Sequence, residues 1–135
     1  MPTDAPAKDY PFSFLVVDDE AFIRTLLVRQ LRQLGATGIA TASNGVDALA
    51  HLDAADPKPD VLLVDLAMPE MGGVEFLRRL ADRAYKGAVV LVSGADPETL
   101  IVAEEMAKYR DIAILGFVRK PVKHEALAQV LDKLD

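Results

Sequence analysis

Short runs of aliphatic residues alternate along this chain with segments in which apolar residues recur every three or four positions. The first kind, near 13–17, 38–42, 61–64, 88–92 and 112–118, predicts five strands. The second predicts five helices. The clearest begins around Ile23: Leu26, Leu27, Leu31 and Leu34 share its face, Arg24, Arg29 and Arg32 fall elsewhere, and Gly35 supplies the stop. The others are expected over 45–53, 74–85, 97–108 and 123–134, with Asp96 and Pro97 as a cap and first-turn pair. Strands separated by helices imply crossover connections. Strands apolar throughout imply a parallel sheet covered on both faces, because a one-sided sheet would alternate apolar with polar residues. Residues 1–11, with Pro2, Pro6 and Pro11, read as a loose tail ahead of one domain over 12–135. No internal repeat or low-complexity block interrupts this order.

Composition narrows the range of functions. A length of 135 residues with 51% hydrophobic content suits one compact core. The net charge of −6 leaves no basic face for a duplex, so direct nucleic-acid binding is not expected. With no cysteine, disulfides and thiolate chemistry are excluded. The apolar runs are of strand length rather than membrane length and no leader pattern opens the chain, so the expectation is a cytoplasmic protein without membrane insertion.

In an open parallel sheet, functional groups gather beyond the carboxyl ends of the strands. Here those ends carry Asp18 and Asp19 after the first strand, Asp65 after the third, Ser93 after the fourth and Lys120 after the fifth. Three converging carboxylates repel one another and raise one another's pKa unless a cation neutralises them. Oxygen ligands without histidine or cysteine suit a hard ion such as magnesium, which pairs one or two carboxylates with waters and a phosphate. Asp65 can act as a nucleophile forming an acyl phosphate, Lys120 as a positive charge for the transferring group, and Ser93 as a hydroxyl donor. Each has a plainer reading alone: Asp19 a helix cap, Asp65 with Pro69 a turn, Ser93-Gly94 a loop, Lys120-Pro121 an exposed tip. Their coincidence at the ends of four strands favours the functional reading.

The set Asp18-Asp19, Asp65 with Met68-Pro69 and Gly73, Ser93-Gly94, Phe117 and Lys120-Pro121 closely resembles the receiver domains of two-component response regulators, including the single-domain chemotaxis type. The resemblance runs from Phe12 to Leu134. It implies an α/β, flavodoxin-like (βα)5 fold: a doubly wound five-stranded parallel sheet in the order 2-1-3-4-5. It further implies that Asp19 ligates magnesium directly and Asp18 mainly through water. Asp65 would be ligand and phosphoacceptor, with the backbone carbonyl of Ala67 completing the protein ligands. Manganese could take the place of magnesium. Lys120 would pair with the carboxylate and then the phosphoryl group, while Ser93 and Phe117, three residues before the lysine, would form the switch. The implied partners are a sensor histidine kinase or histidine phosphotransfer protein as donor, and a target protein met by the fourth helix, fifth strand and fifth helix. Such a domain catalyses only its own phosphorylation and dephosphorylation.

Two features depart from the compact members: a longer stretch from Ser93 to Lys120, and Ala67 and Ala95 where a polar group could position water. The competing readings are a magnesium-dependent hydrolase with an aspartyl nucleophile, or a receiver-like binding module that is never phosphorylated. The hydrolases place Asp-x-Asp after the first strand, whereas here the pair is adjacent. His51 and His124 lack metal spacing and are expected on solvated helix faces; Met68 and Met71 are expected in packing; Glu104, Glu105 and Lys108 form a charged helix face.

Overall fold

The computed structural model describes residues 11–94 and 97–134. The elements are β1 (Phe14–Val17), α1 (Ala21–Gln33), β2 (Ile39–Ala42), α2 (Gly45–Ala54), β3 (Val61–Asp65), α3 (Gly73–Asp82), β4 (Ala88–Ser93), α4 (Pro97–Tyr109), β5 (Ala113–Arg119) and α5 (His124–Leu131). The strands form one five-stranded sheet in the order β2-β1-β3-β4-β5, and every pairing is parallel. This is the fold class the sequence led us to expect. The tail assigned to 1–11 falls almost wholly outside the described residues, as does Asp96 of the expected cap.

Both faces of the sheet are covered. Leu15, Val17, Leu62, Val64, Val89 and Leu91 point to one core with Phe76, Leu77 and Leu80 of α3, while Phe14, Val16, Val61, Leu63, Val90 and Val92 meet Leu27 and Leu31 of α1 and Leu127 of α5 on the other. Side chains of successive strand residues point to opposite faces, so a strand buried on both has no place for a polar residue until it ends. The polar residues at the strand ends are therefore where the apolar core stops.

Several boundaries differ from the pattern. Helix α1 begins two residues before Ile23 and ends as Gly35 takes φ 107°, with its N–H donating to the Arg32 carbonyl at 3.0 Å. Helix α3 stops at Asp82 instead of running to Tyr85. Ala84 turns left-handed at φ 52°, which lets Tyr85 enter the core and donate its hydroxyl to the Pro59 carbonyl at 2.6 Å. Burial holds that hydroxyl far above the ordinary tyrosine pKa. Helix α5 covers less than 123–134 because its last turn loosens after Leu131. In β5, Val89 pairs with Ile114 and Val90 with Gly116, so Leu115 is an extra residue. That bulge sets the remaining register, bringing Arg119 opposite Ser93 and Lys120 just beyond the sheet.

The loop after β3 is held down by a close approach. A Cβ on Gly73 would lie 2.7 Å from Leu66 Cα, whereas one on Gly72 would meet only the Leu66 carbonyl oxygen at 3.9 Å. Gly73→Ala should therefore lower stability by about 1–3 kcal/mol through overpacking. Gly72→Ala should cost no more than about 0.5 kcal/mol. Urea unfolding of both variants checks this, and equal losses would contradict the packing argument.

Candidate functional site

Neighbouring strands in register bring their ends together. Val17 pairs with Val64, so the residues that follow, Asp18 and Asp65, emerge side by side at the carboxyl edge. Both are buried, at 0% and 2% exposure, whereas Asp19, one residue on, is exposed. One oxygen from each of Asp18, Asp19 and Asp65 can be chosen so that all three lie within 4.8 Å of one another. The structure thus assembles the carboxylates predicted from strand ends alone.

The two buried acids are held in place by their surroundings. Asp18 Oδ1 accepts from the Glu20 N–H at 2.9 Å, and the Asp18 carbonyl accepts from Arg24 Nη1 at 2.7 Å, which ties this corner to α1. Asp65 Oδ1 accepts from the Ala67 N–H at 3.1 Å, fixing the start of the loop. Lys120 reaches in from the far side. Its Nζ lies 3.1 Å from Asp18 Oδ2, 3.4 Å from Asp65 Oδ2 and 3.5 Å from Glu20 Oε1, and its side chain is 17% exposed. Its backbone N–H donates to the Ser93 carbonyl at 2.9 Å, joining the last two strand ends directly. The Lys120-Pro121 peptide bond is cis.

The electrostatics follow from this geometry. Burial, reinforced by the Asp18 charge, raises the Asp65 carboxyl above the ordinary value, against the lowering effect of the Ala67 N–H and Lys120. For Lys120, burial acts to lower the pKa, but hydrogen bonding to Asp18 and the Asp65 charge outweigh it, so the ammonium stays protonated. A pair of buried acids sharing one partly buried cation is short of positive charge. The donors are all oxygen and mutually close, which fits a small hard divalent ion and offers nothing to a soft one. Asp18, Asp19 and Asp65 are the side chains that could hold such an ion.

The other predicted residues sort clearly. Ser93 ends β4 at 6% exposure, while the Phe117 ring is 44% exposed and so lies outside the core. Met68 is buried in the core and Met71 packs against it. His51 is exposed as expected. His124 is not a solvated position: it is half-buried in the first turn of α5, and its Nδ1 is enclosed without a hydrogen-bond partner among the described residues. Glu104, Glu105 and Lys108 are exposed. Glu20 and Arg24 escaped the sequence reading. Glu20 adjoins the acidic pair and Arg24 lies one turn further into α1, which in retrospect is the available signal.

Comparison with known proteins agrees with this architecture. The family model of the response regulator receiver domain matches residues 14–132, and the chain belongs to that family. Among its relatives is the positive alginate biosynthesis regulatory protein of Pseudomonas aeruginosa, 34% identical over 121 residues. The match takes in 88% of this chain but only 45% of that regulator. The chemotaxis protein CheY of Listeria monocytogenes is 28% identical over 119 residues, covering 88% of this chain and 94% of CheY. Among solved structures, Vibrio cholerae chemotaxis protein CheY4 superposes with a TM-score of 0.76 at 26% identity, over 92% of this chain and 98% of that one.

An acid whose folded pKa is raised keeps its proton longer in the native state, so its ionisation lowers stability as pH climbs from the unfolded carboxylate range through the folded value. In chelator-treated protein, Asp65→Asn should therefore melt higher than the parent at neutral pH. The difference should shrink as pH falls toward the ordinary aspartate value, about 4. Thermal unfolding between pH 4 and pH 8 gives the result, and a lower melting temperature for the variant at neutral pH would contradict the assignment of burial as the dominant influence.

Proposed function

We propose that Asp65 is the phosphoacceptor of this receiver domain and that Asp19, Asp18 and the Ala67 carbonyl complete the protein ligands of a magnesium ion, with manganese able to replace it. The observation that carries the proposal is the buried carboxylate of Asp65 at the end of the central strand β3, 3.4 Å from the Lys120 ammonium and beside two further carboxylates. In the reaction, a carboxylate oxygen of Asp65 attacks the phosphorus of a phosphohistidine or small acyl phosphate. The new P–O bond forms as the bond to the donor breaks, and the donor leaves with that electron pair. The bound ion supplies charge neutralisation for the phosphoryl oxygens. Lys120 swings its ammonium from Asp65 to a phosphoryl oxygen, and Ser93 donates its hydroxyl to another. Exposed Asp19 has room to face the metal, whereas Asp18 is already engaged by Lys120, which supports the direct and indirect roles given to them.

The natural donor is a sensor histidine kinase or a histidine phosphotransfer protein, and the setting is cytoplasmic. No helix among the described residues is long and apolar enough to cross a membrane. The output is carried by the α4-β5-α5 surface to a target protein. Ile101, Val102, Tyr109 and Phe117 are exposed on α4 and β5, which gives that surface an apolar character. The outward ring of Phe117 marks one end of a two-state equilibrium, which phosphorylation shifts by drawing the Ser93 hydroxyl toward the phosphate and opening space behind it. Catalysis is confined to the domain's own phosphorylation and dephosphorylation.

Incubation with acetyl phosphate and magnesium, read by intact mass, should add one phosphoryl group to the parent and none to Asp65→Asn. Uptake by the variant at the parental rate would refute the assignment. Asp19→Asn should weaken magnesium binding more than Asp18→Asn, and calorimetric titration that ranks them the other way would reverse the ligand roles. Ser93→Ala should still accept the group but lose most of the spectral change at β5 and α4. A full parental change in the amide spectrum with beryllofluoride would remove Ser93 from the switch.

A further inference from the structure

Gln30 occupies a place in α1 where the fold by itself calls for an apolar side chain. It lies among the buried Leu27 and Leu31 and is itself only 7% exposed. Its Nε2 donates to the Val122 carbonyl at 2.9 Å across 92 residues of sequence, while its Oε1 is buried with no hydrogen-bond partner among the described residues. An amide held this way is half-satisfied, which is unfavourable for stability compared with an apolar side chain of the same size. The contact it does make falls on a functional segment. Val122 lies between Lys120 and the start of α5, in the loop that delivers the ammonium to the carboxylates.

We infer that Gln30 is a positioning residue for Lys120: from the C-terminal part of α1 it clamps the β5–α5 loop so that the ammonium stays within reach of Asp18 and Asp65. The loop has three moorings. The Lys120 N–H bonds to the Ser93 carbonyl on the sheet side, the Val122 side chain packs beside α1, and Gln30 holds the Val122 carbonyl. The same helix fixes the acidic corner at its other end, since Arg24 donates to the Asp18 carbonyl. Helix α1 is therefore one rigid spacer between the acids and the loop carrying their counter-charge. Without the amide the loop can lift, and the 3.1 Å and 3.4 Å ammonium contacts lengthen.

This inference rests on the roles proposed above for Lys120 and the carboxylates, and it makes a prediction in which two effects have opposite signs. Lys120 and a divalent ion compete for the same carboxylates. A retracted Lys120 should leave them more available to metal but less able to stabilise a transferring phosphoryl group. General loosening of the domain would instead weaken both properties. The test is magnesium titration by calorimetry and acetyl phosphate uptake by intact mass at saturating magnesium. It compares the full-chain parent with Gln30→Met, Gln30→Asn, Lys120→Met and the Gln30→Met, Lys120→Met double variant. Met keeps the buried length without a donor, and Asn keeps the amide one methylene short, so the inference can be judged on whichever variant folds.

Both Gln30 variants should bind magnesium roughly two- to fivefold more tightly, the scale of one partly exposed ion pair, and accept phosphate roughly threefold more slowly. In the Lys120→Met background the Gln30 substitution should add nothing, as expected of residues acting in series. Unchanged magnesium affinity, or weaker affinity together with slower uptake, would overturn the inference. Parental uptake by Lys120→Met would instead overturn the role given to the lysine in phosphoryl transfer, leaving the titrations to judge Gln30.

Discussion

Two aspartates on adjacent strands are kept almost entirely from water beside each other, and the site depends on how that charge is balanced. Asp18 and Asp65 are brought together by the register of β1 and β3, which sets their backbones side by side at the carboxyl edge. Two buried carboxylates with no counter-charge would drive protonation of one of them. The remedy comes from two strands away. The order β2-β1-β3-β4-β5 sets β4 and β5 on the far side of β3, and the Ser93–Lys120 backbone bond turns the chain so that the ammonium points back over the acidic end. The connectivity of the fold and the electrostatics of the site are one constraint.

Much of this was legible because a parallel sheet covered on both faces leaves a simple trace. Its three central strands are apolar until they end, so Asp18, Asp65 and Ser93 stand out as the first polar residues, while Lys120 follows Arg119 at the end of β5. What was not legible depends on three-dimensional packing. Nothing local separates Asp18 from Asp19, yet one is fully buried and the other exposed, because successive residues leaving a strand point to opposite sides. The early end of α3 follows from the destination of Tyr85, a buried hydroxyl whose partner, Pro59, lies 26 residues earlier. The bulge at Leu115 is visible only once β4 is alongside. Gln30 and His124 carry ordinary helix-surface letters, and only the docking of α1 and α5 against the sheet encloses them.

The unequal exposure of the acidic pair also divides its labour. Asp18 is committed to the interior through the Glu20 N–H and Lys120, so it serves as fixed negative charge. Asp19 is open to solvent and can exchange water for metal without unmaking any contact of Asp18. Asp65 lies between these regimes: its Oδ1 is fixed by the Ala67 N–H, while its Oδ2 faces Lys120. A carboxylate with one oxygen anchored and the other presented toward a cation has its orientation settled in advance, which is what the proposed nucleophilic role of Asp65 would require.

Under the proposed function, Lys120 has two successive tasks that pull in different directions. Before a phosphoryl group is present it substitutes for a metal ion, stabilising the acids and competing with the ion for them. In the proposed reaction, a phosphoryl group on Asp65 would turn that acid into a mixed anhydride with more oxygens and more charge further from the sheet, and the ammonium would be drawn outward to follow it. A side chain that must serve both positions cannot be locked in either, so precision has to come from the backbone that carries it. The loop from Lys120 to Val122 is held at the sheet by Ser93 and at α1 by Gln30, while the four methylenes of the lysine remain free to pivot between those fixed points. The rigid mooring and the mobile charge are complementary, and in the proposed reaction together they would allow one lysine to serve both the empty and the phosphorylated site.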